Sequence, residues 1–425
     1  MSQSAEQSYY TQTARVFAGL PPPRGEVHCD ACVIGGGLTG ITAALALAER
    51  GFEVVLLEAN TVGWGASGRS GGQVIFGYAC EMAKLERLTS PEDARRLWDM
   101  SLEAVRRVKA RIDRHAIDCD WRDGQLHVAI KPRHEEELRG WQALLAERYG
   151  CTRLQWLERA ALATQVQSPR YRAGLYDPES GHLHPLNYTV GMAHAARAAG
   201  VRIHERARVL RLSRGAKPVV HLAHGAVHAR QVVVAGNAWL GPLVPELEAR
   251  LMPVGTYIVS TPPLGEELAH SLLPGDAAVT DINFVLDYFR RSADHRLLFG
   301  GRVSYTGLTP PRLAASMQRR MATVFPQLEG VPVESAWGGF VDITMNRAPH
   351  FGRLDGNLYF AQGFCGHGMA LTGLAGEVIA EAIAGDAERL DVFARIPHRV
   401  FPGGRLLRVP GLLLATAWYR LRDLL

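Results

Sequence analysis

Apolar and polar positions fall into a strand, helix, strand rhythm between Asp30 and Glu58. Ala31 to Ile34 and Val54 to Leu57 are short unbroken apolar runs, the signature of buried strands. Between them Leu38 to Arg50 is apolar over helical length and is bounded by Gly37 and Gly51, which predicts a helix. Pro91 to His115 carries Leu97, Met100, Ala104, Val108 and Ile112 on one helical stripe, with charge on the opposite face. His134 to Tyr149 repeats that pattern through Leu138, Trp141 and Leu145, and Gln125 to Ile130 between the two reads as a strand. Asp177 to Pro185 reads as a turn-rich loop before a helix over Asn187 to Ala199. Strands are expected at Val201 to Glu205, Arg208 to Leu212 and Gln231 to Trp239, with a hairpin near Ala223 to His228. Met252 to Thr261, Asn283 to Arg291 and Arg296 to Gly300 alternate like antiparallel neighbours. A helix over Pro311 to Phe325, a strand over Asn357 to Ala361 and a helix over Ala370 to Ala384 complete the pattern.

These elements imply an α/β (α+β) chain of two domains, as expected for 425 residues. Residues 27–80, 176–240 and 336–390 group into a discontinuous Rossmann-like nucleotide-binding domain. Residues 81–175 and 241–335 group into a substrate domain with a largely antiparallel sheet and helices. Residues 1–26 and 391–425 are expected to be tails.

Composition changes this picture little. Apolar residues make up 47% of the chain, an ordinary globular value without a disorder signature. The formal charge of +5 is mostly arginine, interspersed with acids, so a nucleic-acid partner is not expected. Met1 to Gly19 lacks the apolar core of a signal peptide, and no apolar run reaches spanning length, so a cytoplasmic protein is expected. The six cysteines form no disulfide framework. Cys29 and Cys32 sit three apart on a strand, pointing to opposite faces, and read as packing residues. His182 and His184 lack a third ligand nearby, so no metal is assigned.

The chemistry begins at Gly35-x-Gly37-x-x-Gly40, between strand and helix, where a dinucleotide fingerprint must sit. Gly35 permits the turn, Gly37 lets the backbone approach a pyrophosphate, and Gly40 lets helix and strand pack closely. Glu58 ends the second strand about twenty residues on, where a carboxylate accepts ribose hydroxyls and repels a 2′-phosphate. The motif alone leaves FAD and NAD open. Thr61 to Gln73 is glycine-rich, with Ser67, Arg69 and Ser70 as donors, and suits a backbone lying against a cofactor larger than NAD. A second glycine run, Gln362 to Met369, feeds a helix N-terminus, a donor set suited to the charge of a reduced flavin.

Together Val-Ile-Gly-Gly-Gly-Leu-Thr-Gly, Val-Val-Leu-Leu-Glu, Gly-Trp-Gly-Ala-Ser-Gly-Arg-Ser-Gly-Gly-Gln, Val-Val-Val-Ala-Gly-Asn-Ala-Trp and Gly-Phe-Cys-Gly-His-Gly-Met resemble the D-amino-acid-oxidase-like (DAO) flavoproteins, which include glycine and sarcosine oxidases. Three further stretches are similar to the gamma-glutamylputrescine oxidase type within that group. They are Ser8-Tyr-Tyr-Thr, Tyr288-Phe-Arg-Arg through Arg296-Leu-Leu-Phe-Gly-Gly, and Phe401-Pro-Gly-Gly through Trp418-Tyr-Arg-Leu-Arg-Asp.

The resemblance implies an extended FAD between the two domains. By position Gly35, Gly37 and Gly40 meet the pyrophosphate, Glu58 the adenosine ribose and Val209 the adenine, with Leu38, Thr39 and Ala59 in the same cofactor site. Ser67, Gly72 and Gln73 run beside the isoalloxazine, with Trp64, Gly65 and Ala66 in the same cofactor site. Gly236 and Trp239 belong to the same site, and Gly366, His367, Gly368 and Met369 lie near the pyrimidine side. Ala370 stands where sarcosine oxidases place a carboxylate-holding lysine, which disfavours an alpha-amino acid substrate. No cysteine lies in Val341 to Pro349 to tether the flavin, so FAD is expected to be non-covalent. Cys365 replaces a serine of the family.

The expected reaction is oxidation of an amine of the gamma-glutamylputrescine or polyamine class. Hydride passes to flavin N5, and the imine is hydrolysed. Hydrogen peroxide forms where dioxygen is the acceptor. His367, Tyr288 and Arg290 are the candidate catalytic residues. The alternatives are an amino-acid oxidase or a quinone-linked dehydrogenase of the same fold, the latter with Leu406 to Leu425 as an interfacial segment. A non-catalytic nucleotide-binding module is the remote alternative.

Overall fold

The computed structural model describes residues 8–283, 285–304 and 309–402, with the side chain of residue 302 left aside. Two sheets organise them. The first has a parallel centre in which Gly225–Val234, Gly25–Ile34, Val54–Leu57 and Arg202–His204 lie side by side. Leu358–Gln362 joins Gly225–Val234 in parallel, and His350–Leu354 pairs antiparallel at the outer edge. Parallel strands need crossovers, and helices Leu38–Ala48 and Pro185–Ala198 lie on one face of this sheet. Both faces are covered, which is why its strands are unbroken apolar runs.

Helix Leu38–Ala48 is apolar all round because it is buried all round. It packs against helix Leu371–Ile383 so closely that a Cβ on Gly376 would lie 2.6 Å from the Ala43 backbone nitrogen. Helix Pro91–Arg114 covers the same core with Leu97, Met100, Ala104 and Val108, and Ser90 caps it by accepting from Asp93 N–H.

The second sheet is mostly antiparallel and runs in the order Ser335–Ile343, Met252–Ser260, Leu297–Ser304, Tyr288–Arg291, Ala278–Asp281, Arg122–Ala129, Ala173–His182, Gln73–Val74. Gln155–Glu158 pairs with Ala173–His182 beside that path. Alternation gives this sheet two distinct faces. Leu126, Val279, Phe289, Phe299 and Val259 are in cross-strand register and bury into a core with Met317 and Met321 of helix Leu313–Val324. On the other face Leu175, His127, Thr280, Tyr288, Gly300, Ile258 and Trp337 form one row across six pairings and look toward the first sheet.

Several expectations change. Asp177 to Pro185 is not a loop through Asp177: strand Ala173–His182 runs through it, with a register shift against Asp123 and Gln125. The Asp177 carboxylate accepts from Glu179 and Ser180 N–H, which satisfies the backbone that the irregularity frees. The run over Gln231 to Trp239 leaves the sheet at Val234 and ends in a short 3-10 turn, Asn237–Trp239. Asn283 to Arg291 contributes only Tyr288–Arg291 to the sheet. Gln73–Val74, Ala173–His182 and Ser335–Ile343 all run in the second sheet, although the sequence grouped most of their residues with the nucleotide-binding unit. The N-terminal segment is no free tail: Tyr9–Thr13 is a helical turn whose Tyr9 and Tyr10 bury against Ile258, Leu298 and Trp337. The expected interfacial segment Leu406 to Leu425 lies outside the described residues. No helix among the described residues is long and apolar enough to cross a membrane.

Candidate active site

The fingerprint turn is fixed by close backbone approach. Gly35 has φ +118°, and a Cβ there would lie 2.5 Å from the Ala235 carbonyl oxygen. A Cβ on Gly40 would lie 2.0 Å from the Gly35 carbonyl oxygen, so Gly40 sets the helix-to-strand spacing. Gly37 precedes helix Leu38–Ala48 in extended conformation, and Leu38 N–H donates to Ser67 Oγ at 2.9 Å. The remaining first-turn N–H groups and the helix dipole favour an anion at this end.

Glu58 closes the second strand. Its two carboxylate oxygens accept from Gly36 N–H and Asn60 N–H, each at 2.7 Å. Burial raises its pKa, and these backbone donors oppose the rise.

A cavity of about 600 Å³ opens above these groups, within the range of about 300–1,000 Å³ for small-molecule sites. Of the predicted cofactor residues, Gly35, Gly37, Leu38, Thr39, Glu58 and Ala59 line it at the fingerprint. Trp64, Gly65, Ala66 and Ser67 line it from the first glycine run, and Val209, Gly236 and Trp239 from the strand ends beyond. Gly366, Gly368 and Met369 complete it from the second glycine run. Helix N-terminus, strand-end acid and an elongated wall drawn from distant segments together fit a dinucleotide such as FAD.

Six predicted residues do not line this cavity. Gly40 packs beneath it, as described. Gly72 and Gln73 turn into the second sheet, where a Gly72 Cβ would lie 2.1 Å from the Leu183 carbonyl oxygen. The Gln73 side chain reaches the Thr280 hydroxyl at 2.8 Å, and Gln125 Nε2 donates to the same hydroxyl at 3.1 Å. His367 points its Nε2 at the Phe76 carbonyl oxygen, 2.9 Å away, and burial lowers its pKa, so the ring is neutral and Nε2 carries the proton. Tyr288 lies flat beside two glycines: a Cβ on Gly71 would sit 2.7 Å, and one on Gly300 2.1 Å, from its ring. Arg290 donates from Nε to the Gly71 carbonyl at 2.7 Å and stands behind the glycine run.

Ser70, expected as a donor, lines the cavity, and sequence reasoning missed Asp342, Asn237 and Thr372, which line it too. Asp342 is 1% exposed, and burial pushes its pKa up to about 7. Its carboxylate accepts from Gly363 N–H, and the Asn237 amide, oriented to donate, reaches both carboxylate oxygens. One side chain thus fastens the wall after Val234 to the second glycine run. The signal available was the inward parity of Asp342 on its strand. Ser70 Oγ lies 3.1 Å from Met369 Sδ, which joins the two glycine runs directly.

Other singled-out residues have structural tasks. Arg69 donates to the carbonyls of Trp64 and Gly338. His184 Nδ1 accepts from Asn187 N–H as the cap of helix Pro185–Ala198, and His182 Nε2 contacts the Asp276 carbonyl at 2.7 Å. Cys365 is buried, its thiol donates to the Gly363 carbonyl at 3.3 Å, and its pKa is pushed up to about 11. Such a thiol is a packing group, not a nucleophile.

Comparison with known proteins agrees with this geometry. Residues 30–382 match the model of the DAO family, described as FAD dependent oxidoreductase. The chain is 44% identical over 421 residues to gamma-glutamylputrescine oxidoreductase of Escherichia coli (strain K12), covering 98% of each chain. It is 38% identical over 426 residues to the probable oxidoreductase OrdL of Haemophilus influenzae, covering 99% of this chain and 98% of that one. The crystal structure of glycine oxidase from Geobacillus kaustophilus superposes with a TM-score of 0.71 at 21% identity, over 85% of this chain and 95% of that chain, a likeness of fold. The sheet arrangement, the cavity and the match over most of the chain establish that this protein belongs to the DAO family of FAD-dependent oxidoreductases.

Proposed function

We propose that the protein oxidises a primary or secondary amine of the gamma-glutamylputrescine class. The observation that carries this reading is its near full-length likeness to the Escherichia coli gamma-glutamylputrescine oxidoreductase. Bound FAD would supply the hydride acceptor, taking two electrons from the C–N unit of the amine and leaving an imine for hydrolysis.

The chain's own residues bind, orient and exclude water. Gly35, Gly37, Leu38 and Thr39 would hold the pyrophosphate at the helix N-terminus, Glu58 and Ala59 the ribose, and Val209 the adenine. Trp64, Gly65, Ala66, Ser67, Gly236 and Trp239 would flank the middle of the cofactor, with Gly366, Gly368 and Met369 at its reactive end. Gly40, Gly72, Gln73 and His367 would shape and support those walls. Tyr288 and Arg290 would act from behind the first glycine run. No protein base is required where the amine binds deprotonated. The cavity-lining residues include no cysteine, which favours non-covalent FAD.

Dioxygen is the proposed electron acceptor, with hydrogen peroxide as product, and cytoplasm the proposed compartment. The six free thiols suit a reducing environment. The test is an anaerobic visible spectrum of purified protein before and after gamma-glutamylputrescine, putrescine, sarcosine, glycine and D-alanine. Bleaching by the first two supports the amine reading. Bleaching only by the amino acids overturns it in favour of an amino-acid oxidase. Oxygen uptake with and without a quinone analogue then separates oxidase from dehydrogenase.

A further inference from the structure

His127 is a polar side chain without an assigned role whose neighbours reach both glycine runs. It stands on the face of the second sheet that looks toward the first, in register with Thr280, whose hydroxyl binds Gln73 of the first run at 2.8 Å. His367 of the second run lies near enough to act on it electrostatically, and that ring is held against Phe76. Both histidines are half-buried and keep part of their surface accessible, so they border a recess.

The recess has an apolar wall. Trp141 meets the His127 ring edge-on, with centroids 5.1 Å apart, and stacks on Phe76 at 5.9 Å. Phe76 in turn carries the Arg153 guanidinium over its ring, 4.8 Å away, and that cation is paired with Asp177 at 2.8 Å. Among the described residues, no hydrogen bond to protein occupies either nitrogen of His127. A buried imidazole normally has a partner. A neutral imidazole carries one N–H donor and one acceptor nitrogen, and here the acceptor stands open to an N–H from a ligand.

We propose that His127 is the residue that receives the N–H of the substrate amine, with Trp141 flanking the adjoining methylenes. This rests on the amine reading above and adds to it a position for the reacting nitrogen. Burial keeps the imidazole neutral, with His367 reinforcing and Asp177 opposing that effect, so the lone pair is present throughout the neutral range. A neutral acceptor beside an aromatic wall selects an alkylamine over a compact amino acid, whose carboxylate finds no cation here outside the Arg153–Asp177 pair.

The experiment is the anaerobic reductive half-reaction with gamma-glutamylputrescine, followed by stopped-flow absorbance in wild type, His127→Leu and His127→Gln. FAD content and flavin midpoint potential are measured on the same samples. The expected result is an apparent Kd at least tenfold higher in His127→Leu, largely restored in His127→Gln, with FAD content and potential unchanged. Equal Kd values in wild type and His127→Leu overturn the proposal while leaving the amine reading intact. Loss of FAD or a shifted potential in His127→Leu also overturns it, since His127 is then structural. If leucine prevents folding, His127→Phe carries the same expectation. A wild-type flavin that gamma-glutamylputrescine does not reduce sinks both the amine reading and this proposal.

Discussion

Arg290 donates from Nη2 to the hydroxyl of Tyr10 at 3.2 Å while its Nε holds the carbonyl of Gly71 at 2.7 Å. One guanidinium therefore ties the N-terminal segment to the first glycine run. Arg290 is 3% exposed, and no carboxylate among the described residues pairs with it within 4.0 Å. Its hydrogen-bond acceptors among the described residues are neutral oxygens, the third being the Arg291 carbonyl at 3.2 Å. A buried cation without a contacting carboxylate leans on its hydrogen bonds, so each of them matters more.

Tyr10→Phe removes one of these acceptors without changing shape. The expected loss is about 1.5–3 kcal/mol, the value of a hydrogen bond to a charged group. Urea unfolding of the FAD-loaded protein measures it. A change within experimental error places the Arg290 charge elsewhere.

The fingerprint glycines separate by mechanism. Gly40→Ala drives a methyl into a backbone carbonyl 2.0 Å away and is expected to cost about 1–3 kcal/mol or more in folding stability. Gly37→Ala meets only Ser67 Oγ at 3.0 Å and is expected to fold, yet bind FAD at least tenfold more weakly, about 1.4 kcal/mol. Fluorescence titration of apoprotein with FAD, beside thermal unfolding, distinguishes the two.

Asp342 gives a pH signature. Its pKa is raised to about 7 in the folded protein, against about 3.9 unfolded, so the native state holds the proton more tightly. Its contribution to stability is full below the unfolded value and is lost as pH rises through about 7. The slope approaches about 1.4 kcal/mol per pH unit within that window. Asp342→Asn is expected to flatten the stability profile by that amount between acid and neutral pH. Denaturant midpoints of both proteins across the window test this, and parallel profiles count against it.

Thiol reactivity follows burial. Burial raises Cys29 and Cys365 to about 11 and Cys80 and Cys119 to about 12, leaving almost no thiolate at neutral pH. Iodoacetamide is expected to leave these four unmodified in native protein and to modify them in urea. Intact mass spectrometry reads the difference. Native labelling of Cys365 would show that the second glycine run opens.

The fingerprint half of the cavity was legible because its residues are consecutive. Gly35 to Glu58 carries its own strand, turn, helix and strand, and each lining residue follows from that local order. The second glycine run was legible as a loop, but the direction of His367 was not, because it depends on Phe76 nearly three hundred residues earlier. Tyr288 and Arg290 were found as polar residues on a sheet strand, but not that Gly71 would lie between them and the cavity. Asp342 sits at an alternating position in an ordinary strand, and only the sheet order brings it to the site. The N-terminal tyrosines read as a tail because a short polar segment shows no periodicity, while its burial comes entirely from Ile258, Leu298 and Trp337.

The parallel pairing of Gly25–Ile34 with Gly225–Val234, and of the latter with Leu358–Gln362, has a consequence for synthesis. The first strand pairs early with Val54–Leu57 on one side but waits some two hundred residues for its neighbour on the other, and that neighbour waits more than a hundred for Leu358–Gln362. Contacts of such high sequence separation make folding slow and leave apolar strand edges open in the growing chain. The cofactor cavity draws on both waits, so nascent protein cannot capture FAD until the strand over Leu358–Gln362 has left the ribosome. A chain that stops short of Leu358 therefore lacks one wall of the cavity, and flavin uptake is expected to mark how far synthesis has gone.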